Sequence, residues 1–249
     1  MQTQKRKAMT RSLYKIIKQK TTSVERLNAI FTPLTFQERI RKLYDYFEDD
    51  EVLMTSSFGT KSVFLLYWVS KLRPAQRVYF IDTGYHFPET IAYKETLTEQ
   101  FGLDLVDVHP NPNAHRRTQE QHLWNKNPDN CCYVNKVAPL KPLKARHKVW
   151  ISGLMAQQTD YRSNLQIFEE QDGIIKFHPI LDIDEGEFLY DMQRLELPRH
   201  PLEAMGYGSI GCTHCTRPGS GRSGRWADSD KTECGLHPDY FARQAARKR

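Results

Sequence analysis

The apolar positions change period once along the chain. In the first fifty residues Leu13, Ile16 and Ile17, then Phe36, Ile40, Leu43, Tyr44 and Phe47, recur near i, i+3, i+4 and i+7. That spacing builds one apolar face of a helix. From residue 52 the pattern becomes short apolar runs: VLMTSSF (52–58), RVYFIDT (77–83), LDLVDV (103–108) and KVWISGL (148–154). Runs of this length and continuity suit strands buried on both faces. Helix-like stretches alternate with them at SVFLLYWVSKL (62–72) and ETIAYKETLTEQF (89–101), the second starting behind Pro88. A weaker pair follows, FHPILD (177–182) as a strand and EGEFLYDMQRLEL (185–197) as a helix stopped by Pro198. Beyond Gly206 the periodicity ends, and glycine, serine and charge content rise.

Strands alternating with helices predict right-handed βαβ units. The expected fold is therefore α/β, an open, mostly parallel sheet flanked by helices, with an irregular, mobile C-terminal tail. The pattern divides the chain into an N-terminal helical segment (1–50), an α/β core (51–205) and the tail (206–249). No internal repeat is present. In open parallel sheets, ligands sit at the carboxyl ends of the strands. Three polar motifs occupy such ends: SSFGTKS after the first strand, DTGYHFPE after the second and GLMAQQTDYRSNL after the fourth.

Composition narrows the chemistry. With 249 residues, 39% hydrophobic and 11% aromatic, the chain has the makings of a folded globule rather than a disordered one. A net charge of +6 favours anionic partners, although part of the excess lies in QKRKAMTR and ARQAARKR, which read as solvated termini. The start has no secretory pattern and no apolar run reaches the length of a membrane span, so the expected compartment is the cytoplasm. Thiols stay reduced there, and clustered cysteines more often mean metal or catalysis than disulfides. The five cysteines divide as the adjacent Cys131 and Cys132, the C-x-x-C pair Cys212 and Cys215, and the solitary Cys234.

Sets of four thiolates bind zinc or iron–sulfur clusters. A vicinal pair suits a zinc knuckle poorly, because each knuckle needs a turn between its ligands. Cys234 has His237 three residues on, and a thiolate in a positive field is nucleophilic at neutral pH. In SSFGTKS, small hydroxyl residues, one glycine and the first amides of a helix make a cradle for phosphate or sulfate. Its spacing is not that of a Walker A loop. The loop resembles the S-G-G-x-D-S loop of the PP-loop ATP pyrophosphatases (adenine nucleotide alpha hydrolase-like). It keeps Ser57, Gly59 and Ser62, while Phe58 replaces a glycine and Lys61 the aspartate. Lys136, Arg162, Arg222 and Arg225 lie near these candidate anion sites, and guanidinium forks bind phosphate or sulfate in bidentate fashion.

Taken together, SSFG (56–59), DTGYHFPET (82–90), CCYVNKVAPL (131–140), GLMAQQTDYRSN (153–164), HPL (200–202), GYGSIGCTHCTRP (206–218), GRW (224–226) and KTECGLH (231–237) form an ordered set. With them the chain resembles the adenylyl-sulfate and phosphoadenylyl-sulfate reductases of assimilatory sulfate reduction, in their iron–sulfur form. The resemblance implies a nucleotide-binding core and a cluster-binding, catalytic tail. It implies that Cys234 attacks the sulfate sulfur of adenosine 5′-phosphosulfate, leaving an S-sulfocysteine that thioredoxin or a glutaredoxin-like reductant resolves to sulfite. Cys131, Cys132, Cys212 and Cys215 would hold a [4Fe–4S] cluster, structural or electrostatic in role. Ser57, Gly59, Ser62, Lys136, Arg162, Arg222, Arg225 and His237 would contact substrate, and Asp82 and Thr83 would shape the adenosine pocket. Chains of the family with all four cluster cysteines generally use adenylyl sulfate, some accepting the 3′-phosphorylated form too. Neither nucleic acid nor membrane is an implied partner. Two other readings predict different chemistry: a PP-loop tRNA-thiolating enzyme, which needs the missing aspartate, and a zinc-stabilised nucleic-acid-binding module.

Overall fold

The computed structural model describes residues 23–227, 233 and 236. The helical spacing at Leu13, Ile16 and Ile17 and the two basic termini lie outside the described residues. Helix α1 (Val24–Phe31) starts at Ser23, whose hydroxyl accepts the Arg26 amide at 3.3 Å. Helix α2 (Phe36–Leu43) starts with a capping box. The Thr35 hydroxyl accepts the Glu38 amide at 3.3 Å, and the Glu38 carboxylate accepts the Thr35 amide at 2.9 Å. Leu27 and Phe31 of α1, and Phe36, Ile40 and Leu43 of α2, are buried in the same core as the strands. Arg39 is buried among them, where its guanidinium pairs with both Asp182 oxygens at 2.5 and 2.8 Å and donates to the Phe31, Thr32 and Pro179 carbonyls.

The α/β alternation follows. It runs β1 (Val52–Ser56), α3 (Ser62–Leu72), β2 (Val78–Ile81), α4 (Pro88–Phe101) and β3 (Leu105–Val108). Helix α4 takes Pro88 at its first turn, where no amide is needed, and ends at the left-handed Gly102. A helical stretch comes next, α5 (Pro112–Glu120), α6 (Leu123–Lys126), α7 (Pro128–Cys132), a π turn (Tyr133–Val137) and α8 (Ala138–Lys144). Then come β4 (Val149–Ile151), the short α9 (Asp160–Ser163), β5 (Phe168–Gln171), β6 (Ile174–Phe177) and α10 (Glu185–Arg194).

Among the described residues the strands form one sheet in the order β3-β2-β1-β4-β6-β5, parallel except for the β5–β6 edge pair. Chain progression reverses between β1 and β4, whose Met54 and Ile151 are in register. Such a reversal opens a crevice at the strands' carboxyl ends. The core packs Phe31 edge-on against Phe168, with ring centroids 4.9 Å apart, and stacks Phe168 on Phe177 at 4.6 Å. The outer strand β5 meets α1. There the Asn28 carboxamide donates to the Phe168 carbonyl at 2.9 Å and accepts its amide at 2.8 Å.

One expected strand is corrected. Only Phe177 of FHPILD lies in a strand, and residues 178–182 turn toward Arg39 instead. The strand is IIKF, one half of a hairpin closed by Asp172 and Gly173, both at positive φ (49° and 77°). Asp-Gly is a strong signal for this two-residue turn.

Two features of this framework carry measurable consequences. Phe58 sits just after β1 at φ 49°, yet its ring is fully buried edge-on to Phe80 at 5.6 Å. The ring's burial offsets a backbone conformation that glycine would hold without cost. Phe58→Ala keeps the strain and loses the packing, and chemical denaturation should show a loss of about 3–5 kcal/mol. His200 is the second. Its Nδ1 accepts the Leu202 amide at 3.2 Å, which places the proton on Nε2, donating to Thr90 Oγ1 at 3.1 Å. Burial lowers the imidazole to about 4 from an ordinary 6.5. The unfolded chain therefore takes up this proton first, and the stability His200 contributes falls away between pH 6.5 and 4. Urea midpoints should drop over that window by on the order of 2 kcal/mol in ΔG, and His200→Asn should flatten the dependence.

Candidate active site

A cleft of about 420 Å³ opens where β1 and β4 part. The β1–α3 loop forms one wall. Ser57, Gly59 and Ser62 all line it, and no side chain caps the first turn of α3. Uncapped helix starts present backbone amides to anions. Thr60 Oγ1 donates to the Gly208 carbonyl at 3.2 Å and ties this loop to the 206–227 segment. Lys61 is turned to α10, with Glu185 at 4.0 Å and the Phe188 ring at 5.3 Å.

The rest of the lining includes four basic side chains. Arg222 and Arg225 come from the 206–227 segment, Arg162 from α9 and Lys136 from the π turn. Arg225 lies over Trp226 at 4.3 Å and donates to the Ile210 carbonyl at 3.1 Å. Its Nε is buried without a hydrogen-bond partner, a donor still to be used. Gly211 makes this placement possible, since a Cβ there would strike the guanidinium. Arg162 is buried and gives both Nε and one terminal nitrogen to Glu233, at 2.7 and 2.8 Å, and another to Gln158.

The segment after Gly206 is irregular but docked. Ile210, Cys212, Thr216 and Trp226 are buried, and Cys212 forms a bridge with His86 beside β2. That docking brings the C-x-x-C pair to the vicinal pair. Cys131, Cys132 and Cys212 are buried, Cys215 is partly so, and none of the four is in a disulfide. Burial first, then the neighbouring Cys132, Cys212 and Cys215, pushes the Cys131 thiol up to about 12. Cys215 rises to about 11, mainly through burial and Cys212, while Lys136 acts in the opposite direction. Polar groups meet the sulfurs: Asn135 Nδ2 donates to Cys131 Sγ at 3.6 Å, and the Thr83 hydroxyl and Cys212 thiol share a hydrogen bond at 3.3 Å. Tyr85, Trp124 and His214 surround them, Trp124 stacked on His214 at 4.0 Å.

The π turn explains why the vicinal pair and the cleft adjoin. Pro139 has no amide to continue the ordinary helical ladder, and Ala138 donates five residues back to Tyr133. Asn135 thereby faces Cys131, and Lys136 faces the cleft. After burial, the Lys136 charge is the next contribution lowering the His86 imidazole to about 4.

The four thiols suit a thiolate-held group by donor chemistry, since each sulfur raises the cost of ionising the next and a cationic group removes that cost. Among the described residues no three His, Cys, Asp or Glu side chains are grouped to hold a single metal ion. The cleft gathers Ser57, Gly59, Ser62, Lys136, Arg162, Arg222 and Arg225, whereas Cys234 and His237 lie outside the described residues. Thr83 and Asp82 are placed differently from the sequence expectation. Thr83 is buried against Cys212, Asp82 accepts the Gly84 amide, and neither lines the cleft, which His86 and Ile81 do. The sequence reading missed Glu233, although it stands inside the KTECGLH motif, and Lys176, hidden in an unremarked strand.

Relatives of this chain are matched over most of their length. Residues 51–218 match the phosphoadenosine phosphosulfate reductase domain. An adenosine 5′-phosphosulfate reductase of Salinibacter ruber is 33% identical over 226 residues, 87% of this chain and 89% of that protein. A phosphoadenosine 5′-phosphosulfate reductase of Gloeobacter violaceus is 35% identical over 199 residues, 76% of this chain and 83% of that protein. The crystal structure of a phosphoadenylyl-sulfate reductase from Candida auris, in a phosphate complex, aligns at TM-score 0.68 and 25% identity, covering 78% of this chain and 96% of that one. Matching motifs, a matching α/β sheet and identity above 30% over most of the chain agree, and the chain belongs to the phosphoadenosine phosphosulfate reductase family.

Proposed function

We propose that this chain is a sulfonucleotide reductase, an oxidoreductase of sulfate assimilation that converts adenosine 5′-phosphosulfate to sulfite and AMP. The observation that carries the reading is the cleft at the β1–β4 reversal, lined by three arginines, Lys136 and an uncapped helix start. A phosphosulfate brings negative charge on both its phosphate and its sulfate, and a thiolate attacking it is itself an anion. Fixed cations around the leaving phosphate offset that repulsion as charge builds on it. Arg225, with its unused Nε, and Lys136 are suited to this role, and Ser57, Gly59 and Ser62 to the phosphate cradle.

The proposed reaction has two stages. The Cys234 thiolate attacks the sulfate sulfur, forming an S–S bond as the sulfur–oxygen bond to phosphate breaks, and AMP leaves with that electron pair. A thiolate of a reduced dithiol protein then attacks Cys234 Sγ, and sulfite leaves with the electrons of the S–S bond. The second thiol of the dithiol resolves the mixed disulfide, so the dithiol is oxidised and sulfur(VI) is reduced to sulfur(IV). Thioredoxin or a glutaredoxin-like protein fits this role. His237, three residues from the nucleophile, would supply positive charge near it. Four free cysteines suit a cytoplasmic enzyme, and among the described residues no helix is long and apolar enough to cross a membrane.

Cys131, Cys132, Cys212 and Cys215 are suited to hold a [4Fe–4S] cluster. Bound there, it would supply a fixed charge behind the cleft and fasten the 206–227 segment to the π turn. Adenosine 5′-phosphosulfate is preferred to its 3′-phosphorylated analogue in this reading because the chain carries all four cysteines of the set, Cys131, Cys132, Cys212 and Cys215.

Anaerobic incubation with each nucleotide, without reductant, tests the chemistry. Intact mass and peptide mapping should show a sulfonate on Cys234, formed faster from adenosine 5′-phosphosulfate; no adduct with either nucleotide on iron-replete protein would overturn the assignment. Cys234→Ser should abolish the adduct while iron content and AMP binding persist. Cys132→Ser should lose its iron, measured by elemental analysis, and full iron in that variant would refute the ligand role. Arg225→Ala should weaken nucleotide capture by about tenfold or more, in line with the loss of a charged hydrogen bond.

A further inference from the structure

The cleft already contains an anion, and this chain supplies it. Glu233 is 4% exposed, and its carboxylate accepts from Arg162 at 2.7 and 2.8 Å, from Arg222 at 3.3 Å and from Thr159 Oγ1 at 3.2 Å. Three residues on, the Leu236 carbonyl accepts from Lys176 Nζ at 2.9 Å. Lys176 projects from β6, is 2% exposed, and lies over the Trp150 ring at 4.5 Å. The Leu236 side chain packs on the apolar cluster that contains Trp150, Leu140 and Ile81. Glu233 and Leu236 both line the cleft, and Cys234 is the residue next to Glu233 in sequence.

Simple tethering does not account for this arrangement. Burying a carboxylate or an ammonium is costly unless each is paired and hydrogen-bonded, and here both are. An apolar residue at either position would hold a tail to the Trp150 cluster more cheaply. The carboxylate also takes the bidentate edge of Arg162, the edge an incoming phosphate or sulfate would use.

We propose that Glu233 and Lys176 are positioning residues. They form a two-point clamp on Glu233 and Leu236, which flank Cys234 in sequence, with Glu233 as an exchangeable internal anion that an entering nucleotide displaces from Arg162 and Arg222. The Lys176–Leu236 attachment then serves as the pivot that keeps Leu236 at the cleft. Substrate binding is thereby coupled to the release of one clamp point, and reciprocally the docked carboxylate weakens nucleotide binding. The role in turnover rests on the sulfonucleotide reading above, whereas the clamp rests on the geometry alone.

The test is the rate at which iodoacetamide alkylates Cys234 in anaerobic, iron-replete full-length protein, read by peptide mass, with AMP as probe. In the unmodified chain AMP should change that rate by about fivefold or more, and Glu233→Gln should show the altered rate without AMP. Glu233→Gln should also bind AMP more tightly by calorimetry, a direction that mere damage to the cleft would not produce. Lys176→Met removes the pivot, so the alkylation rate should rise and the single-turnover sulfonation of Cys234 should slow. Equal alkylation rates in all three proteins, indifferent to AMP, would overturn the clamp, as would unchanged or weaker AMP binding in Glu233→Gln. The two readings separate cleanly. The alkylation pattern without any sulfonate adduct would leave the clamp and remove the reductase assignment; the adduct with a flat alkylation pattern would do the reverse.

Discussion

A cleft built to receive an anion must keep its cations compensated while it waits. This constraint organises the region where β1 and β4 part. Arg162 is buried and would be costly there alone, so it is paired with Glu233. Arg225 is spread over the Trp226 face and bonded to a backbone carbonyl. Lys61 leans on Glu185 and an aromatic ring. Each cation is satisfied by a partner of different strength, so they differ in how readily a ligand can recruit them. The sheet supplies the place, and local charge balance decides what can enter.

The backbone of this arrangement was readable from the period of apolar residues. Four runs of continuous apolar sequence became the parallel strands, and residues 62–72 became α3 because both pattern and length agree there. The β5–β6 hairpin escaped that reading. Its two strands have four residues each and carry Glu169, Glu170 and Lys176, so the apolar run is broken, although Asp172-Gly173 announced the turn. Candidate anion contacts were legible as residue types near strand ends. Their partners were not: nothing in the composition of 160–163 tells that Arg162 meets a carboxylate seventy-one residues away. Long-range pairing depends on how the tail folds back, which no local pattern encodes. Thr83 likewise meets a sulfur distant in sequence, while Ile81 and His86 on either side of it line the cleft.

The vicinal cysteines and Lys136 show how spacing is converted into direction. Three or four residues along an ordinary helix return to the same face, which would bring Lys136 back over Cys132. The π turn after Cys132 widens that interval and sends Asn135 and Lys136 to different tasks. π turns recur at functional sites for this kind of reason. The thiol environment and the nucleotide cleft thus share one backbone element, and a distortion of either is felt by the other through three or four peptide units.

The Asn28 carboxamide on β5 has a separate importance. It offers an N–H to the Phe168 carbonyl and an oxygen to its amide, the same two bonds that a neighbouring strand would make. At Phe168 the outer strand therefore ends on a side chain rather than on open backbone groups. An unpaired outer strand is a template on which a second chain can add itself. By placing one asparagine there, the N-terminal helices block that edge at Phe168 against edge-to-edge self-association.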